Sequence, residues 1–262
     1  VSNDQPVYVG VDGSASAVEA ADVAAGEAAA RGTELVILHV GESDQPALEN
    51  ALARVRLRYP TVVSSVRYLP AGQGVAPALA EQSADGCLLV VGHRGQSVRR
   101  STLAGSVAQH LIAIARVPTI VYRALDLTCD VPEPRRVLVG VGVHGTPDAV
   151  LDFALSEASR RGAELEIVCA PPEHDDESGL APDAAESVQR WRDKYPDVVS
   201  RLHIRPGIDP AIALMVDSHT AQLVVVGAGV PAINQSGSIA HALVHRAACP
   251  VAVVPRLVTA DS

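Results

Sequence analysis

Two stretches in the first half of the chain carry residue types suited to holding an anionic ligand. Asp12-Gly13-Ser14 follows the apolar run Val7 to Val11. Gly92-His93-Arg94-Gly95 follows Leu88 to Val91 and leads, nine residues further on, to Gly105-Ser106-Val107. Gly92 and Gly95 can adopt positive φ and let a ligand approach the backbone. Gly105-Ser106 is expected to open a helix, where unpaired N–H groups and the helix dipole favour phosphate oxygens. The plainer alternative is that this serine only caps the helix. Arg94, Arg99 and Arg100 lie in the intervening loop and add positive charge.

These residues need a scaffold, and the pattern around them supplies one. Short β-branched runs at Val7 to Val11, Glu34 to Val40, Val62 to Leu69, Cys87 to Gly92 and Thr119 to Arg123 read as strands. Between them, Ala17 to Ala30, Gln45 to Tyr59, Val75 to Ala84 and Gly105 to Ala115 read as helices. Continuously apolar runs such as Leu88-Leu89-Val90-Val91 fit strands covered on both faces. Strict alternation of this kind predicts an α/β fold, a doubly wound five-stranded parallel sheet with right-handed crossovers. Ligands of such sheets bind beyond the carboxyl ends of the strands, where the strand order reverses.

The chain is written twice. Arg31-Gly32-Thr33-Glu34-Leu35 returns as Arg161-Gly162-Ala163-Glu164-Leu165, 130 residues later, and Gly105-Ser106 returns as Gly237-Ser238. The period matches a whole domain rather than a solenoid unit. The expected organisation is a domain at 1–124, a proline-containing linker at 125–135 and a second domain at 136–262.

Asp12 after a strand, then Gly-2x-Gly-9x-Gly-Ser before a helix, resembles the nucleotide-binding signature of the universal stress protein family. The resemblance covers nearly the whole chain as two tandem domains. It implies ATP, with Mg2+ or Mn2+ on its phosphates, at the carboxyl edge of the first domain. Carried over residue by residue, Gly92, Gly95, Gly105, Ser106 and the Val107 backbone hold the phosphates, with Arg94 beside them. The Val40 backbone meets adenine, and Asp12 contacts the nucleotide from below. The action implied is a nucleotide-dependent regulatory switch toward an unknown protein partner. No catalytic residue is assignable, so ATP hydrolysis is slow at most. The resemblance also implies an internal pseudo-dimer, and the apolar last strands, Pro118 to Tyr122 and Pro250 to Val254, are expected to pair with each other or across a homodimer.

The second half departs from the signature. At constant offset Gly142 stands where Asp12 does, and Gly237 follows Gly227 after 10 residues against 13 between Gly92 and Gly105. That shortened loop carries no Arg or Lys, so its site is expected to be weak or empty.

Composition excludes several classes. The 262 residues carry a formal charge of -9 and are 48% hydrophobic with 3% aromatics. That is too apolar for disorder and too acidic for broad nucleic-acid binding. No run reaches the roughly 18 to 20 apolar residues of a membrane span, and no signal peptide is visible, so a cytoplasmic location is expected. Cys87, Cys129, Cys169 and Cys249 are too scattered for a metal-ligand spacing and read as reduced packing residues. Gly140-Val141-Gly142-Val143-His144-Gly145 matches a dinucleotide fingerprint, but the next run ends in Cys169-Ala170 without the acid that would bind a ribose. There is no Walker A sequence and no evident hydrolase triad. His174-Asp175-Asp176-Glu177 reads as a solvated loop, His93 as an exposed loop residue and His39 as a packing residue. His241 and His245, four apart on an expected helix, are placed to share a metal but lack a recognisable third ligand. The competing functional class is a nucleotide-independent structural or interaction protein that keeps the motif as a fold-stabilising cap.

Overall fold

Alternating β-branched and alanine-rich segments fold into the same βα pattern in both halves of the chain. A computed structural model describes residues 5–41, 45–93, 106–123, 136–142, 146–171, 182–229 and 238–256. It divides into two units, 1–124 and 125–262. The segment expected as a linker, 125–135, lies outside the described residues.

In the first unit the strands are β1 (Val7–Gly10), β2 (Leu35–Val40), β3 (Ser64–Leu69), β4 (Leu88–Gly92) and β5 (Thr119–Tyr122). The helices are α1 (Ala15–Arg31), α2 (Gln45–Arg58), α3 (Val75–Gln82) and α4 (Ser106–Ile114). Within this unit the strands lie side by side as β3-β2-β1-β4-β5, all parallel. The chain winds outward from β1 to β3, then returns to β4 on the other side of β1. Right-handed crossovers then put α1 and α2 on one face and α3 and α4 on the other, and these are the helix pairs in contact.

Alanine makes α1 what it is. Ala17, Ala20, Ala21, Ala24, Ala25 and Ala28 are all buried, so the helix backbone lies close to the sheet. Ser14 caps its start by accepting from the Ala17 N–H, and Gly32 ends it in the left-handed conformation at φ 66°. Arg31, in the last turn, pairs with the buried Glu27 one turn back.

The second unit repeats the plan with β6 (Arg136–Val141), β7 (Glu164–Cys169), β8 (Ser200–Ile204), β9 (Leu223–Gly227) and β10 (Val251–Val254). Its helices are α5 (Asp148–Arg161), α6 (Pro182–Lys194), α7 (Pro210–Asp217) and α8 (Ile239–Arg246). The order within the unit is β8-β7-β6-β9-β10, again parallel. The repeated Arg-Gly has the same use here. Gly162 closes α5 at φ 57°, and Arg160 and Arg161 pair at 3.0 and 3.1 Å with the carboxylate of the fully buried Glu157. A charge so placed is tolerated only when paired. A second duplicated detail lies under the opposite helices. A Cβ at Gly10 would stand 2.9 Å from Leu79 Cδ1, and one at Gly140 2.7 Å from Leu214 Cδ1.

With so few aromatics, the polar ends of those present matter. The Tyr195 hydroxyl donates to Asp152 Oδ1 at 2.8 Å, an oxygen that Lys194 Nζ also reaches at 2.8 Å. Burial, then the hydrogen bond to Asp152 and its charge, push the phenol up to about 12 from its usual 10.0. A folded-state value raised in this way stabilises the fold below the unfolded value and loses that contribution as pH rises. Urea unfolding is therefore expected to show stability falling between pH 10 and about 12, and Tyr195→Phe to show a smaller fall over that window.

Candidate functional site

Strand order reverses between β1 and β4, and the residues just beyond their carboxyl ends form the candidate site of the first unit. The turn after β1 is built by its own side chains. Asp12 Oδ1 accepts from the Ser14 N–H at 3.0 Å, Gly13 takes φ 79°, and Ser14 starts α1. The carboxylate is thereby aimed by a local turn, an arrangement for which short acidic side chains are suited. Val40, placed by sequence against adenine, ends β2 opposite Leu69 of β3, and the next residue, Gly41, turns away at φ 113°.

Gly92 ends β4 without using glycine's access to positive φ. Its missing side chain has another purpose. A Cβ there would lie 2.7 Å from Ser16 Oγ, 3.0 Å from the Ser16 carbonyl carbon and 3.1 Å from the Ala17 nitrogen. The first turn of α1 therefore rests directly on the end of β4.

His93 corrects an expectation, because it is buried rather than exposed, at 4% relative accessibility. Its N–H donates to the Tyr122 carbonyl at 2.7 Å, which extends the β4–β5 pairing by one residue. The Arg123 guanidinium contacts its Nε2. A guanidinium can only donate, so in this contact Nε2 is the acceptor. His39, as expected, packs. It is buried, its Nδ1 donates to the Val11 carbonyl at 2.8 Å, and its ring meets Tyr68 edge-on at 6.3 Å. Burial, followed by the hydrogen bond and charge of Glu19, raises the Tyr122 phenol above its usual range.

Of the residues carried over from the resemblance, Asp12, Val40 and Gly92 stand at this edge, and Val107 lies in the first turn of α4. Ser106 is the first residue of α4. Arg94, Gly95 and Gly105 lie outside the described residues, as do Arg99 and Arg100. Sequence reasoning did not single out Tyr68 or Arg123. The signal was available in the duplication, through strand register. His39 and Tyr68 face each other on β2 and β3, as Cys169 and Ile204 do on β7 and β8. His93 donates to Tyr122 as Ala228 donates to Val254, so Pro255 takes the place of Arg123. Four polar side chains at the first edge thus correspond to Cys, Ile, Ala and Pro at the second.

The helix after the first strand differs as well. α1 has 17 residues and α5 has 14, yet both end at the matching glycine. The missing turn is therefore at the amino end, beside the strand ends, where Pro147 precedes α5 without a side-chain cap. Gly227 has Val150 Cγ2 at 3.4 Å from where its Cβ would be, an ordinary contact. The Gly142 N–H donates to Thr146 Oγ1 at 3.0 Å, a neutral partner in place of Asp12's carboxylate.

A cavity of about 650 Å³ elsewhere in the first unit lies between the end of β3 and α3. Its charged lining is acidic, Glu81 and Asp85, which disfavours a phosphate. Among the described residues no cluster of three or more His, Cys, Asp or Glu is arranged to hold a metal, and no helix is long and apolar enough to cross a membrane.

Two doubly wound α/β units, each with a parallel five-stranded order, define a tandem α/β protein. The sequence pattern of the universal stress protein family matches residues 5–63 and 133–255. A universal stress protein of Mycobacterium tuberculosis (strain ATCC 25618 / H37Rv) is 32% identical, covering 94% of this chain and 96% of the relative. One from Mycolicibacterium smegmatis is 29% identical over 95% and 96% of the two chains. The solved universal stress protein of Archaeoglobus fulgidus DSM 4304 matches with a TM-score of 0.68 at 19% identity, over 96% of each chain, a likeness of fold. The chain belongs to the universal stress protein family and carries two of its domains in tandem. The first family match ends at residue 63, before β4, so the glycine-rich loop of that unit rests on its own residues.

The two strand-end glycines separate packing from ligand effects. Gly92→Ala is expected to destabilise the ligand-free protein by about 1–3 kcal/mol through overpacking against the α1 backbone. Gly227→Ala is expected to cost less than about 1 kcal/mol, both read from urea unfolding midpoints.

Proposed function

We propose that the first unit binds ATP, with Mg2+ or Mn2+ on the phosphates, and that occupancy switches the surface offered to a protein partner. The observation that carries this reading is the contrast at four register-matched positions: His39, Tyr68, His93 and Arg123 in the first unit against Cys169, Ile204, Ala228 and Pro255 in the second. Asp12, the Val40 backbone, Gly92, Arg94, Gly95, Gly105, Ser106 and the Val107 backbone form the binding set. Arg123, in contact with His93, adds positive charge at the same edge. The second unit binds nucleotide weakly or not at all, lacking a carboxylate at Gly142 and a full first helical turn. No general base is assigned, so turnover is slow at most. The protein acts in the cytoplasm, where thiols such as the buried Cys169 stay reduced, its own pKa raised by burial. Assembly as an internal pseudo-dimer, or as a homodimer, belongs to the same proposal.

One observation favours the nucleotide-independent alternative. Gly92 is required by the packing of α1 whether or not a ligand binds. Calorimetry with ATP and Mg2+ separates the readings, with cyclic AMP and adenosine as comparison ligands. Saturable heat from one site per chain, lost in Gly105→Val, supports the switch. Arg123→Gln is expected to weaken ATP but not adenosine. No heat at millimolar ATP, with no rise in the melting midpoint, leaves the structural reading standing.

A further inference from the structure

The nucleotide reading leaves a pair of imidazoles on α8 unused. His241 and His245 are one turn apart on that helix, both half-buried and so within reach of solvent. Their Nε2 atoms face each other at 3.2 Å, with ring centroids 4.6 Å apart and planes inclined by 64°. Two outcomes satisfy nitrogens so placed. Either one Nε2–H donates to the other's lone pair, or both lone pairs point at a shared cation.

The spacing suits the second outcome. Metal–imidazole bonds of about 2.0–2.1 Å that span 3.2 Å meet at about 100°, between the octahedral and tetrahedral angles. The chelate closes without backbone movement, since i,i+4 positions lie on one helix face. His245 is in the last turn of α8, where the helix dipole favours a cation. Among the described residues no third His, Cys, Asp or Glu completes a cluster, so the two imidazoles are the ligands proposed. A site with two imidazoles and open positions is exchangeable rather than structural, and it ranks Cu2+ above Zn2+ by the general order of divalent affinities.

The pair is peculiar to the second copy. Aligning Ser238 with Ser106 puts Gln109 and Ala113 of α4 where His241 and His245 stand. The fold therefore does not require imidazoles at these positions. We propose that His241 and His245 form a two-imidazole chelate on α8 that binds one divalent transition ion, Cu2+ before Zn2+. This site is independent of nucleotide in the first unit.

The test is calorimetric titration of the full chain with CuCl2 and then ZnCl2, beside His241→Gln and His245→Gln. One ion per chain at this site, with affinity reduced at least about tenfold in each variant, is the expected result. Electron paramagnetic resonance of the Cu2+-loaded wild type should show coupling to two imidazole nitrogens, which requires no variant to fold. Circular dichroism checks the variants, and Cu2+ should raise the wild-type melting midpoint but not theirs. Absence of saturable binding, a spectrum without two coupled nitrogens, or undiminished affinity in both variants overturns the proposal in favour of a shared proton.

Discussion

A parallel sheet covered by helices on both faces leaves its strand ends as the place where backbone and solvent meet. How that edge is shaped depends on how far each helix reaches along it. In the first unit this is set by one close approach, the Ser16–Ala17 backbone against the Cα of Gly92. Because no side chain intervenes, α1 begins level with the end of β4. Asp12 and Ser14 are then held in a tight turn directly beyond β1. In the second unit the matching helix starts a turn later, and Val150 packs over Gly227 instead.

Duplication lets the chain act as its own control. What both copies keep is what the fold needs. A left-handed glycine ends the first helix, a buried glutamate is paired by arginine in its last turns, and a leucine covers a side-chain-free position on the first strand. What differs is gathered at the carboxyl edge. Several of those positions, His39, His93 and Cys169 among them, are nonetheless buried, so each copy packs its edge with different side chains. The same logic applies to α8, where imidazoles replace the glutamine and alanine of α4 without altering the helix.

Legibility followed the range of the interactions involved. Strands and helices of the first unit fall within two residues of their expected bounds, because hydrophobic period and helix propensity are local properties. Asp12-Gly13-Ser14 was readable for the same reason, since its hydrogen bonds span two or three residues. His93 was misread because its burial comes from pairing with β5, about 30 residues away, and from Arg123. Gly92 was assigned a backbone role when its neighbour is a helix 76 residues earlier in the chain. Glycine's two uses, left-handed turns and close packing, look identical in a sequence.

The sequence alone therefore determined the repeated βα order, the parallel sheet it forces, and the asymmetry between the two glycine-rich loops. Each depends on residue type and spacing along one stretch of chain. Tertiary structure decided which glycine accommodates a helix, which histidines are buried, and which side chains from separate strands share an edge. Those outcomes depend on register between strands distant in sequence, and register is fixed only when whole faces of the sheet pack at once.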